Sequence, residues 1–222
     1  MHEELFSILK KVPFLSNTPD EALLALASKA KEVKFRKQAI IVTEGDETTS
    51  LYIILSGRVR VFGSDDKSKE LTLLIQEAGS HFGELALFAD EPLRTATVQA
   101  LEHSVCAMIS KSDFINWLNI HPGVAITLLG VFSEKIRFLT EKVKQMALES
   151  AYERTIRVLQ DLAIKEGDIF VIYNKPTDEE LARMVGSQRE TINKFMSGLI
   201  EGGYISKQGK ALRIEKKLPI KF

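Results

Sequence analysis

From Val33 to about Ile109 the chain alternates short aliphatic or β-branched runs with turn residues. AIIV precedes EGDE, SLYIIL precedes SG, RVRVF precedes GSDDKSKE, LTLLI precedes QEAGS, and TATVQA and SVCAMI close the series. Many short strands at this spacing predict an antiparallel sandwich or small barrel. Helical period lies on either side. Between Pro19 and Lys31, a Pro-Asp start is followed by Leu23, Leu24, Leu26, Ala27 and Ala30 near helical spacing. After Ser110-Lys111-Ser112-Asp113 the period returns in DFINWLNIH, and beyond Pro122 one uninterrupted helix is predicted to about Glu149.

That long helix carries a seam. Leu129, Phe132, Ile136, Leu139, Val143 and Met146 follow alternating steps of three and four, with Glu134, Lys135, Arg137, Glu141, Lys142 and Lys144 off it. This is the a/d spacing of a coiled coil and predicts a homodimer; packing against its own domain is the alternative. A further helix is predicted from Tyr152 to Lys165, then a strand and turn in IFVIYNKP. Thr177-Asp178-Glu179-Glu180 has capping-box spacing, so a helix starts there. Two short helices flank Gly186, with Leu181, Ala182 and Val185 before it and Ile192, Phe195, Met196 and Leu199 after it. GGYISKQGKALRIE then reads as a hairpin. Two helices joined through a glycine turn and followed by a hairpin predict a winged helix-turn-helix.

The chain's 222 residues are too many for one typical domain and suit two. Lys+Arg and Asp+Glu balance at 30 each, but Gly186 to Phe222 holds 8 basic and 3 acidic residues. A local phosphate-facing surface fits that asymmetry, and a solvated face would show it too. Cys106 is alone, which excludes an intrachain disulfide or a thiolate metal cluster. His2, His81, His103 and His121 form no helical i, i+4 pair, so no metal site is expected. MHEELFSILKKVPF lacks the pattern of a signal peptide, and no run approaches eighteen apolar residues. A cytoplasmic protein without a membrane span is expected.

At the front of the second helix, Gln188, Arg189, Glu190, Thr191, Asn193 and Lys194 stand where base edges are reached in a major groove. Arg189 has the fork for guanine O6 and N7, and Glu190 can accept from cytosine N4. Lys194 can donate to a guanine or a phosphate, and Thr177, Gln188 and Thr191 suit phosphate contacts. Lys210 adds charge at the hairpin turn. Upstream, Gly79-Ser80-His81-Phe82-Gly83-Glu84-Leu85-Ala86-Leu87 is followed by Pro92-Leu93-Arg94-Thr95. Amides at Glu84, Leu85 and Ala86 can cradle a phosphate that Arg94 neutralises, with Glu84 on a ribose hydroxyl. A structural turn in which Arg94 pairs with Glu84 is the rival reading.

In this order, joined by a long seam helix, the two motifs resemble the Crp/Fnr family of bacterial transcription regulators over essentially the whole chain. The resemblance implies an α+β fold: a jelly-roll effector domain at residues 1–120, a dimerising helix at 121–149 and a winged helix-turn-helix at 150–222. It implies a non-enzymatic regulator binding a palindromic duplex and RNA polymerase. No cofactor is required; the effector is a cyclic nucleotide, with cyclic AMP first, bound by Gly83, Glu84, Leu85, Ala86, Arg94, Thr95 and Thr140. Leu139 departs from the family pattern by offering the adenine no hydroxyl, and Lys194 stands where arginine is expected. A regulator that is ligand-independent, redox-responsive or answers another nucleotide, and a nucleotide-binding module for a partner protein, are the rival readings.

Overall fold

In the computed structural model, which describes residues 2–66, 69–167, 169–209 and 211–219, the chain divides into two units. Met1–Asp65 with Thr72–Arg137 make the first, and Asp66–Leu71 with Phe138–Phe222 the second. The first unit is a two-sheet sandwich. Its strands are β1 (Lys31–Phe35), β2 (Ile40–Val42), β3 (Ser50–Ser56), β4 (Arg58–Ser64), β5 (Glu70–Glu77), β6 (His81–Phe82), β7 (Thr97–Ala100) and β8 (Ser104–Ser110). One sheet runs β1-β8-β3-β6, the other β2-β7-β4-β5.

Ile54, Phe82 and Cys106 from the first sheet meet Val42, Val59 and Val98 from the second between the layers. This is the antiparallel sandwich that the strand spacing predicts. Burial pushes the Cys106 thiol up to about 12, so it behaves as an inert core group. β3 reads SLYIILS without polar alternation because its other face is covered too. There Leu51 and Ile53 pack with Ala107 and Ile109 against helices α1 (His2–Leu9), α2 (Asp20–Lys29) and α4 (Lys111–Ile120). Trp117 Nε1 donates to the Ala22 carbonyl at 2.8 Å and ties α4 to α2.

Pattern and structure part at short elements. The helix predicted from Pro19 to Lys31 ends at Lys29, because Ala30 turns extended (φ −78°, ψ 140°) and Lys31 already pairs with Met108. β6 and the one-turn helix α3 (Leu85–Phe88) are too short to leave a period. The run TATVQA enters its strand only at Thr97, which leaves Thr95 and Ala96 beside a cavity described below.

α5 runs from Pro122 to Leu148 as expected. The second unit's α6 (Ala151–Leu162) begins with a Ser150–Glu153 capping box. It ends three residues short of Lys165, because Ile164–Glu166 form β9 and pair antiparallel with β10 (Ile169–Ile172). α7 (Asp178–Val185) and α8 (Arg189–Glu201) follow, then the hairpin of β11 (Ile205–Gln208) and β12 (Ala211–Ile214). The sheet order is β11-β12-β10-β9. Tyr152, Leu159, Leu181, Val185, Ile192, Met196 and Leu212 share one core, so helices and sheet form one winged-helix body. Among the described residues no single helix is long and apolar enough to cross a membrane.

Candidate functional site

β6 delivers Gly83 and Glu84 to the mouth of the first unit's sandwich. Gly83 holds φ +85°, and a Cβ placed there would lie 2.7 Å from the Ser50 carbonyl oxygen and closer still to Arg94 Nη1. Only glycine lets the backbone come this near. The cavity behind it measures about 60 Å³ and is lined by Gly83, Glu84, Leu85, Ala86, Arg94 and Thr95, with apolar walls from Val42, Val61, Leu74, Phe82 and Val98. Six of the seven residues expected to hold an effector thus meet. Thr140 is exposed on α5 and is not among them.

Arg94 is 4 % exposed. Its Nε donates to Thr48 Oγ1 at 3.0 Å, Nη1 to the Gly83 carbonyl at 2.9 Å and Nη2 to the Ser50 carbonyl at 2.9 Å. All three acceptors are neutral. Burial draws its proton affinity down, opposed by Tyr52, Glu84 and Asp46, and the guanidinium remains charged. The Arg94–Glu84 pairing of the rival reading is absent from the ion pairs of the described residues. Instead Lys135 Nζ lies 2.6 Å from Glu84 Oε1, with the Glu84 side chain 2 % exposed. The heptad spacing places Lys135 off the seam, and the structure turns it into the cavity. Heptad arithmetic sorts positions by face but does not say which face meets the barrel.

His81, on β6, packs edge-on to Phe14 at 4.9 Å, and its Nδ1 has no hydrogen-bond partner among the described residues. Burial lowers its pKa from 6.5; Glu84 opposes the shift and Lys135 reinforces it. The unfolded chain therefore takes up this proton first as pH falls. Stability is fully present above about pH 6.5 and declines as pH drops from there toward the folded pKa, by at most about 1.4 kcal/mol per pH unit. Urea unfolding between pH 7.5 and 5.5 should show a slope that His81→Phe reduces; an unchanged slope would assign it to other groups.

In the second unit, Gly186 sits left-handed at φ 70° and closes α7, as the turn requires. Gln188, Arg189, Glu190 and Lys194 are exposed and Thr191 is half-buried. None of the five takes part in an ion pair among the described residues. Asn193 turns toward α7, its Nδ2 donating to Asp178 Oδ2 at 3.2 Å. The Thr177 hydroxyl accepts from the Glu180 amide at 3.2 Å and donates to Glu180 Oε2 at 2.9 Å, so its hydrogen already serves the cap. Lys207 is exposed on the wing, and Lys210 lies outside the described residues.

Comparison with known proteins agrees with both halves of this geometry. Residues 32–121 match the cyclic nucleotide-binding domain family, and residues 153–217 match the Crp-like helix-turn-helix domain family. The chain is 26 % identical over 211 residues to a CRP-like cAMP-activated global transcriptional regulator of Mycobacterium tuberculosis, covering 93 % of this chain and 94 % of that protein. It is 28 % identical over 183 residues to the cAMP-activated global transcriptional regulator CRP of Salmonella typhimurium, covering 81 % and 87 %. In fold it is similar to the c-di-GMP responsive global regulator CLP of Xanthomonas campestris, with a TM-score of 0.79, 20 % identity, and coverage of 90 % of this chain and 100 % of that one. The chain belongs to the Crp/Fnr family of DNA-binding transcription regulators. It couples a cyclic nucleotide-binding domain to a Crp-like helix-turn-helix.

Proposed function

We propose that the chain works in the cytoplasm as a homodimer that binds a palindromic operator under the control of a cyclic nucleotide and acts on RNA polymerase without chemistry of its own. Residues 1–120 sense, 121–149 dimerise and 150–222 bind DNA. One observation carries the effector reading. Arg94 is a buried cation whose hydrogen bonds all go to neutral oxygens. A buried charge with no ion-pair contact among the described residues is costly, and a phosphate anion against Gly83 and the amides of Leu85 and Ala86 offsets it. Two of the five guanidinium N–H groups have no acceptor among the described residues and can serve that anion.

The ligand must also prefer one dimer state, or it shifts nothing. Lys135 supplies the route. A ribose hydroxyl donates to Glu84 Oε2, which has no partner among the described residues, while Oε1 holds Lys135, one helical turn before Leu139 on α5. A ligand held on that carboxylate acts on α5 through Lys135, alters packing along the Leu129 to Met146 seam and re-aims two recognition helices to about 34 Å apart, one turn of DNA. Cyclic AMP is the first effector to test, since the two relatives are named for activation by it. Cyclic di-GMP is the second, on the fold neighbour and on Leu139, which gives a base no hydroxyl. Calorimetric titration with cyclic AMP, cyclic GMP and cyclic di-GMP decides among them. Saturable binding that Arg94→Ala abolishes is the expected result, and no heat from any of them turns the search to ligand-independent or redox control.

On DNA, Arg189, Glu190 and Lys194 read bases, with Gln188, Thr191 and Lys210 on phosphates, while Thr177, expected there from its residue type, spends both its donors on the α7 cap. Selection of operators from a random duplex library should show Arg189→Ala relaxing one position in each half-site, at a cost of about 1–3 kcal/mol. Lys210→Ala should weaken all sequences alike and reduce the salt dependence by about one charge. Unchanged base preference with Arg189→Ala would show that another residue occupies that place in the groove.

A further inference from the structure

One residue lining the cavity has an acceptor that the phosphate cassette does not explain. Along β5, Leu73, Ile75 and Glu77 are exposed while Leu74 and Gln76 turn inward and line the cavity. Gln76 Nε2 donates to the His81 carbonyl at 3.0 Å. Because that partner can only accept, the amide has one orientation available, with nitrogen toward β6 and oxygen away from it. Oε1 is buried and has no hydrogen-bond partner among the described residues. Glu84 Oε2 shares that condition. Both orphan atoms accept, whereas Arg94 and Lys135 donate.

We infer that Gln76 is an effector-contacting residue, its amide oxygen accepting a hydrogen bond from an O–H or N–H of the bound nucleotide. This assignment rests on the cyclic-nucleotide reading and sharpens it. An anion alone satisfies the guanidinium and leaves Oε1 orphaned, so the ligand that fits this cavity carries a donor beside its phosphate. A buried acceptor discriminates strongly between ligands that have the donor and ligands that lack it, because the second kind leaves the oxygen unpaired. Loss of the pattern's usual base contact at Leu139 makes such a determinant on the barrel side more consequential.

The test titrates full-length protein with cyclic AMP, its 2′-deoxy analogue, and the cyclic nucleotide of unsubstituted purine, which lacks the 6-amino group. Wild type should bind one of the two donor-deleted analogues about tenfold more weakly than cyclic AMP. In Gln76→Met that ratio should fall to within about twofold of unity, while Gln76→Glu, which keeps an acceptor, should retain it. The ratio within one variant does not depend on the fraction of protein that is folded. If Gln76→Met weakens all three ligands by the same factor, or leaves both ratios as in wild type, Gln76 only braces the β5–β6 connection and the assignment is wrong. Absence of saturable binding by wild type overturns the nucleotide reading itself, and this assignment with it.

Discussion

Gly83→Ala is expected to destabilise the first unit by about 2–4 kcal/mol and to abolish nucleotide binding. Two costs combine. At φ +85° an L side chain is strained whatever the space around it, and here there is none, since the new Cβ would lie 2.7 Å from the Ser50 carbonyl oxygen. Relief requires moving Arg94, which surrenders its bond to the Gly83 carbonyl and displaces the cation that a phosphate would meet. Gly63→Ala is the control. It has no positive φ, and its Cβ would find the nearest heavy atom, Glu44 Oε2, at an ordinary 3.7 Å. Urea unfolding of the two variants, read with cyclic-nucleotide calorimetry, checks the expectation. Equal stability of both would mean that the Gly83 backbone can relax into an ordinary conformation.

The second large effect is expected at the seam of α5. Ile136 and Val143 are 64 % and 66 % exposed in the single chain, alongside exposed Leu129, Leu139 and Met146. A contiguous apolar stripe of this kind on a long helix is what a second copy of the chain would cover in the proposed dimer. Ile136→Asp with Val143→Asp should leave the helical circular dichroism signal largely intact, because neither side chain is in a core of its own chain. Analytical ultracentrifugation should show a monomer. Operator affinity should fall by about 10²-fold or more, since two recognition helices no longer bind as one unit. A double variant that still sediments as a dimer would place the interface elsewhere.

Much of this was legible along the chain because local periodicity follows burial on one face. The eight-residue α7 was announced by its Thr177–Glu180 box and closed by Gly186, both local chemistry. Five of the six seam residues are exposed on α5 as a dimer stripe requires. The sixth, Phe132, is half-buried against the barrel core, because near its start the helix also serves its own domain. β6, α3, β9 and the start of β1 escaped, since they are too short for any period to average over their sequence.

The cassette residues could be named from their order, for Gly83, Glu84 and Arg94 lie within a dozen positions and their chemistry is intrinsic to the side chains. Their partners could not. Lys135 meets Glu84 across 51 residues, and Arg94 reaches Thr48 and Ser50 across 46 and 44. Ion pairs and orphan atoms are properties of distance in space, so a lysine that the heptad marks only as one of several off-seam charges is the counter-ion of a buried carboxylate. Gln76 is the same case: only folding put its nitrogen on the His81 carbonyl and left its oxygen buried without a partner among the described residues. Local pattern carried the architecture and the identity of the reacting groups, because those depend on neighbours in sequence. Charge pairing, burial and the free valence of each polar atom waited on the tertiary structure, because they depend on which distant strands and helices close around the site.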